Sequence, residues 1–167
     1  INFVSYDSNP CYNGADFYIN NQLVTEVVLP NTNTSIGDYV FTGFVRLTNI
    51  NIPASVATIG ECAFAGCTNL TTVTFEENSQ LTSIGASAFG GCESLTNINI
   101  PDSVTSIGNE AFSGCAALTS IEISDSVTTI GEYAFSGCTA LTSIEIPASV
   151  TTIGSGAFAG CTNLASV

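Results

Sequence analysis

Carboxylates and thiols are the side chains of this sequence that could do chemistry. The 167 residues include fourteen acids, seven cysteines and five tyrosines, but one basic residue, Arg46, and neither His nor Lys. Imidazole bases, Schiff-base lysines and imidazole-bound metals are therefore excluded, which leaves carboxylates, tyrosines and thiols as proton carriers or ligands. The formal net charge of −13 offers no cationic patch for phosphates, so nucleic acid and anionic membrane surfaces are poor partners.

One pair of acids, Glu122 and Glu145, has a spacing that suggests catalysis. The two residues lie 23 positions apart, and on adjacent strands their carboxylates would be about 5 Å apart, as in a retaining glycosidase. Such an enzyme also needs a cleft for a sugar ring, which small polar neighbours on an open sheet do not form. A calcium ion bridged by both carboxylates is a second interpretation, although calcium takes about 6 to 8 oxygen ligands. We predict no catalytic residues, no metal site and no cofactor.

The cysteines divide into a recurrent row and a separate pair. Five of them recur 23 or 25 residues apart and are predicted to form a buried ladder of small apolar side chains. These five are Cys67, Cys92, Cys115, Cys138 and Cys161. A zinc site would instead need close pairs that converge tetrahedrally. The other two, Cys11 and Cys62, are candidates for a disulfide that fastens the N-terminal segment to the second repeat.

A repeat of 23 residues organises these side chains and decides the fold. The unit reads L-T-x-I-x-I-P-x-S-V-T-x-I-G-x-x-A-F-x-G-C-x-x, occurs six times, and starts again at Leu164. The six units begin at Val24, Leu47, Leu70, Leu95, Leu118 and Leu141. The third unit is two residues longer, within the segment 76–80, and this insertion predicts a surface loop.

The first half of each unit predicts a short strand followed by an inward turn, as the fourth unit illustrates. Ile98 and Ile100 alternate with polar residues, which is typical of a half-buried strand. Pro101 then ends the strand, because its missing N–H would interrupt the ladder. Val104 and Ile107 turn the chain back towards the interior.

The second half of the unit predicts a glycine-bounded segment that delivers an aromatic ring to the core. Gly108 indicates a positive φ or a close backbone approach. Ala111 and Phe112 enter the core from a single helical or 3₁₀ turn, which Gly114 closes. Stacked units would align six phenylalanines in one internal column. These are Phe41, Phe64, Phe89, Phe112, Phe135 and Phe158.

The units resemble the leucine-rich repeats of the Treponema pallidum type, which occur in BspA-like surface proteins. The similarity covers residues 24–167 and rests on both glycine columns, the A-F pair and the G-C dipeptide, which recur in register. The first unit departs from it, with Asn33 at the buried Val position, Val40 for Ala and Phe44 for Cys. The resemblance implies an α/β solenoid, a right-handed superhelix with a parallel β-sheet on its concave face and short helical or 3₁₀ turns. It also implies display outside the cell and a role in adhesion.

Two domains are predicted: an N-terminal cap, 1–23, and a solenoid, 24–167, of six repeats plus the start of a seventh. Residues 1–23 do not fit the unit, and their apolar residues and turn signals suit strands that cover the first open edge of the core. The start of a seventh unit would leave the sixth partly uncovered, which predicts an edge for pairing with another copy. No segment resembles a signal peptide or approaches the roughly 20 apolar residues of a membrane-spanning helix, so we expect no membrane insertion.

Two asparagines begin N-glycosylation sequons. They are Asn33, in Asn33-Thr34-Ser35, and Asn69, in Asn69-Leu70-Thr71. Asn69 is the better candidate, because it lies in a turn before a strand, whereas Asn33 has a normally inward position.

Two outward columns of the predicted strands form the expected binding face, because solenoids expose an extended concave surface. The face comprises Asn49, Asn51, Thr72, Thr74, Asn97, Asn99, Ser120, Glu122, Ser143 and Glu145. It has no aromatic or arginine cluster of the kind that forms interface hot spots, so we expect weak or multivalent binding.

Three functional hypotheses follow. The first is a non-catalytic, extracellular or cell-surface protein that acts as an adhesin-like protein or a scaffold for glycan interaction. Its partner would be a surface protein or glycan of a host or neighbouring cell. The second is a structural subunit that assembles head to tail with other copies into an extracellular fibril. The third, a carboxylate-based hydrolase, is disfavoured by the missing bases.

Overall fold

The chain winds as a parallel β-solenoid of about six turns, one turn for each repeat. The structure, a computed structural model, describes residues 18–19, 22–24 and 26–166. Each of the first five turns has three sides, which are a long strand, a short strand and a turn segment that carries the column of phenylalanines, and the sixth turn has a single bridge in place of the long strand. The recurrence of the unit therefore places equivalent residues of successive turns directly beside one another.

The long strands form two separate parallel sheets. One contains β3 (Glu26–Val28), β5 (Asn49–Ile52) and β7 (Thr72–Phe75), and the other contains β9 (Asn97–Asn99) and β11 (Ser120–Glu122). In β5, β9 and β11 the inward residues are buried, as Ile98 is, and the outward residues are exposed, as alternation in the sequence predicts. The division between β7 and β9 coincides with the two-residue insertion in the third unit.

A third parallel sheet, which the sequence analysis did not predict and which we call the short-strand sheet, forms the adjacent side of the solenoid. Its six strands are β4 (Ser35–Ile36), β6 (Thr58–Ile59), β8 (Ser83–Ile84), β10 (Ser106–Ile107), β12 (Thr129–Ile130) and β13 (Thr152–Ile153). Each strand has two residues, so alternation along the chain gives almost no signal for it. The inward direction of Val104 and Ile107 is confirmed, because both are fully buried or nearly so.

The Ala-Phe segments are turns, and the predicted helical or 3₁₀ turns are therefore wrong for the described residues, among which there is no helix. The reason is the direction of the backbone donors. In the fourth turn, the N–H groups of Glu110, Phe112 and Gly114 donate to carbonyls of the fifth turn at 2.8, 2.8 and 2.7 Å. The alternating N–H groups of Ala111, Ser113 and Cys115 donate within the segment, three residues back, so the internal bonds are isolated and form no continuous helical ladder. The same triplet recurs in the turns before and after.

This arrangement requires positive φ angles at two positions of each turn segment. The second glycine column, which contains Gly114, supplies one of them, with Gly114 at φ 74°. The other is held by residues of varied type, including Tyr39, Cys62 and Glu110 at φ 60°, 52° and 56°. A positive φ is sterically unfavourable for residues other than glycine. The column that contains Tyr39, Cys62 and Glu110 is therefore strained, and the sequence does not reveal this strain.

The predicted Phe column forms the centre of the interior. The rings of Phe89 and Phe112 stack with centroids 5.5 Å apart, those of Phe112 and Phe135 with centroids 5.4 Å apart. Within the described part of the chain, every buried residue is apolar. The acidic side chains of the described residues therefore lie at the surface, and the interior is held by apolar packing.

The cap remains a prediction, because most of residues 1–23 lie outside the described part. What is described there is a two-stranded antiparallel pair, β1 (Tyr18–Ile19) and β2 (Gln22–Leu23). The right-handed winding and the concavity of the long-strand side also remain predictions. None of the described residues belongs to a helix that could cross a membrane.

Candidate functional site

The predicted binding face lies on the outward side of the long strands, and we call it the long-strand face. All ten of its residues are exposed. Strand register brings Asn49 beside Thr72 and Asn51 beside Thr74. In the sheet of β9 and β11, register likewise brings Asn99 beside Glu122. The face is thus a set of adjacent amides, hydroxyls and carboxylates in rows, and its role in binding remains a prediction.

A chain of hydrogen bonds orders one end of this face. The Thr74 hydroxyl donates to Asn51 Oδ1 at 2.9 Å, and Asn51 Nδ2 donates to Glu76 Oε1 at 3.2 Å. The other carboxylate oxygen of Glu76 accepts from the backbone N–H of Ala54 at 3.1 Å. Glu76 belongs to the segment that carries the insertion, so this segment is fastened to the preceding turn. These polar groups are consequently held in fixed positions.

Glu122 and Glu145 do not lie on two paired strands. Glu122 ends β11, whereas Glu145 follows a single bridge between Ser143 and Ser166 and belongs to no strand. Between β9 and β11, Glu122 lies opposite the neutral Asn99. Two glutamates directly opposite each other would destabilise strand pairing, because like charges repel. Both carboxylates line a shallow groove together with Asp125. Within the described residues, no cluster of three or more His, Cys, Asp or Glu is arranged to hold a metal ion.

The five recurrent cysteines form a row through the interior. Cys67, Cys92, Cys115 and Cys138 are fully buried, while Cys161 is half-buried. Each thiol also donates to the carbonyl of a phenylalanine in the preceding turn, at 3.1 to 3.3 Å. The sequence analysis treated these side chains as apolar and missed the hydrogen bond, for which a cysteine in a repeat gives no signal.

Burial makes these thiols poor nucleophiles. It raises the pKa of Cys115 from 9.0 to about 12, and it raises that of Cys92 well above the usual value, with Cys67 and Cys115 contributing. Since the thiolate is the reactive form, Cys92 and Cys115 are poor nucleophiles in the folded state.

Cys62 lies in a more open setting, in the positive-φ column next to Tyr39. The Tyr39 hydroxyl donates to Glu61 Oε1 at 2.6 Å, and this bond raises the pKa of Tyr39 to about 12. Partial burial and then the charge of Glu61 raise the pKa of Cys62. Its predicted disulfide partner, Cys11, lies outside the described residues, so the bond remains a prediction.

The two sequon asparagines differ in environment. Asn69 is exposed, and its Nδ2 donates to the Val45 carbonyl at 2.8 Å. Asn33 is half-buried, and its backbone carbonyl accepts a hydrogen bond from the Ser55 hydroxyl at 2.6 Å. A glycan on Nδ2 of Asn69 would compete with an existing hydrogen bond, and glycosylation at either position remains a prediction.

Comparison with protein families and solved structures gives a consistent result. The model of the BspA-type leucine-rich repeat region matches residues 14–81 and 75–167. The leucine-rich repeat protein of Treponema pallidum is 30% identical, with a TM-score of 0.70, and the match covers 84% of this chain and 78% of that protein. No curated protein is similar enough in sequence to count as a match.

Two longer proteins share the same architecture. A leucine-rich cell surface protein of Faecalibacterium prausnitzii A2-165 is 35% identical over 91% of this chain and 46% of its own, with a TM-score of 0.57. The pneumococcal vaccine antigen PcpA is 29% identical over 87% of this chain and 36% of its own, with a TM-score of 0.63. This chain therefore spans less than half of each. The repeat units, the solenoid and the family match together confirm the predicted resemblance, and the chain belongs to the BspA-type leucine-rich repeat family.

Proposed function

We propose that this chain is a non-catalytic binding module displayed at a cell surface, where its long-strand face contacts a protein or glycan of a host or neighbouring cell. The observation that carries the proposal is the exposure of all ten polar residues predicted for that face, eight of which lie in register on paired strands. A relative described as a cell surface protein supports the location. The face has side chains that can donate and accept hydrogen bonds in rows, which suits an extended partner with repeated contacts.

Binding of the labelled chain to intact epithelial and bacterial cells, measured by flow cytometry, tests this proposal. The test variant, Asn49→Arg with Ser120→Arg, places two long side chains on the long-strand face. The matched control, Thr58→Arg with Thr152→Arg, adds the same charge to exposed residues of the two-residue strands. We expect binding to fall at least tenfold in the test variant alone. Equal binding by both variants would show that the long-strand face is not the contact surface.

The proposal assigns no catalytic role to the carboxylates. Assays of the purified chain against glycoside and ester substrates, with Glu122→Gln and Glu145→Gln for comparison, examine this point. Turnover that disappears in either variant would contradict it. Head-to-tail assembly remains a separate prediction, which light scattering across a range of protein concentrations can test.

A further inference from the structure

A groove on the long-strand side lies where its sheet is divided. β7 and β9 lie next to each other but belong to different sheets. Between them is a groove of about 810 Å³, with Thr72 and Thr74 on one wall and Asn97 and Asn99 on the other. This volume falls within the range of small-molecule sites, which is about 300 to 1,000 Å³. The shallow groove lined by Glu122 and Glu145 lies on the same side of the solenoid.

Phe75 gives this groove an aromatic surface. It lines the groove and is half-buried, with part of the residue packed against the core and part accessible. The equivalent position holds aliphatic residues in the other turns, for example Ile52 and Ile100. The one turn with an insertion therefore also supplies the one aromatic ring at this position. Its accessible part offers an apolar contact for the C–H groups of a sugar ring.

The polar lining matches hydroxyl groups in particular. Asn97 and Asn99 each have an amide that both donates and accepts, and sugar hydroxyls do the same. Glu76, Asp102 and Glu122 add carboxylate acceptors, and the groove is lined by no basic residue. Carboxylates of this density repel sialic acids, uronic acids and sulfated sugars.

We propose that the groove between β7 and β9 binds an uncharged oligosaccharide, with one ring stacked on Phe75 and hydroxyls bonded to Asn97 and Asn99. This inference rests on the proposed function and names the ligand class and the place of contact. A basic polypeptide is the alternative that the carboxylates would also attract. The aromatic platform and the paired amides favour the sugar, because a basic chain needs neither.

The first experiment is a printed array of neutral, sialylated and sulfated oligosaccharides, probed with the labelled chain, with polylysine as a competitor. We expect neutral glycans alone to be bound, and polylysine to compete weakly. Binding of anionic glycans, binding of polylysine in preference to sugars, or no neutral glycan bound at millimolar concentration would each overturn the inference.

The second experiment locates the site by calorimetric titration with the best neutral glycan. Phe75→Ile installs the residue that other turns carry at this position, so folding should be preserved, which thermal melting checks. We expect affinity to fall at least tenfold for Phe75→Ile and for Asn97→Ala with Asn99→Ala, but to stay within twofold for Thr58→Ala, at an exposed residue outside the long-strand face. Unchanged affinity in both groove variants would overturn the inference.

The two proposals fail in distinguishable ways. Cell binding that survives in the groove variants but is lost in Asn49→Arg with Ser120→Arg leaves the proposed function standing and removes the groove. If neither the groove variants nor Asn49→Arg with Ser120→Arg reduce cell binding, the long-strand face is not the contact surface, whatever the array shows.

Discussion

The thiol of Cys115 donates a hydrogen bond to the carbonyl oxygen of Phe89 in the preceding turn, with Sγ and O 3.2 Å apart. Both residues are completely buried. Equivalent bonds link each cysteine of the row to the turn before it. The cysteine column therefore fills space and also joins successive turns, which is where a solenoid gains its stability.

Replacement of Cys115 by Ala should lower the free energy of unfolding by about 1–2 kcal/mol, because it opens a cavity and removes a donor from Phe89. Urea denaturation measures this change. Cys161→Ala is the matched control, since Cys161 makes the same bond at 3.1 Å but is only half-buried. It should cost less than half as much. Equal costs at the two positions would mean that burial does not determine the contribution of the row.

The same row should make the protein sensitive to alkali. The folded pKa of Cys115 is about 12 against an ordinary 9.0, so the folded state holds its proton where the unfolded chain has lost it. The stability that this thiol contributes is complete below pH 9 and is lost as the pH rises from 9 towards 12. Urea denaturation at pH 8 and pH 10.5 should show a larger loss for the native chain than for Cys115→Ala. Identical losses would contradict the raised pKa.

Much of this fold follows from the period of the sequence, and what was missed has physical causes. The inward positions of Ile98 and Phe112 were predictable because burial imposes their residue type on each turn. The short-strand sheet was not predictable, because a strand as short as Ser106–Ile107 exists only through pairing with neighbouring turns. The strained column at Glu110 was also hidden, since the residues that occupy it share no chemical property.

The candidate site shows the same limit. Exposure of the long-strand face followed from alternation, but the division of its sheet beside Phe75 depends on contacts between turns. An insertion in the sequence predicts a loop, and it does not tell which neighbouring strands lose their pairing.

The first glycine column should tolerate no side chain. A Cβ added to Gly108 would lie 2.7 Å from the carbonyl carbon of Gly85 and 2.8 Å from the nitrogen of Ala86, so the backbones of two turns would have to separate. Gly108→Ala should cost about 1–3 kcal/mol, the usual range for overpacking. Thermal and urea denaturation both measure it.

Gly90→Ala is the matched control for that substitution. Ala65 and Ala159 occupy the equivalent position in other turns, and the nearest atom to an added Cβ, the Ser87 carbonyl oxygen, lies 3.3 Å away. We expect Gly90→Ala to change stability by less than about 0.5 kcal/mol. A large loss at Gly90, or none at Gly108, would contradict close backbone approach as the role of the first column.

Relief of the strained column should stabilise the chain. Glu110 has φ 56°, and glycine adopts this conformation without the steric cost that other residues pay. Glu110→Gly should therefore raise the free energy of unfolding by about 0.5–1 kcal/mol, after the entropy of glycine in the unfolded chain is subtracted. Glu110→Ala separates charge from conformation. If Ala stabilises as much as Gly, the gain comes from loss of a negative charge in a chain of net charge −13.

The phenylalanine column should contribute most where a ring has a neighbour on each side. Phe112 is fully buried and stacks on both Phe89 and Phe135, so Phe112→Ala should cost about 3–5 kcal/mol by urea denaturation. Phe158 is half-buried and stacks on Phe135 with centroids 5.5 Å apart, and Phe158→Ala should cost clearly less. Phe112→Leu, which keeps an apolar side chain at the same place, should recover more than half of the loss. Equal costs for the two alanine variants would contradict the expectation that burial and a ring on each side determine the contribution of a phenylalanine.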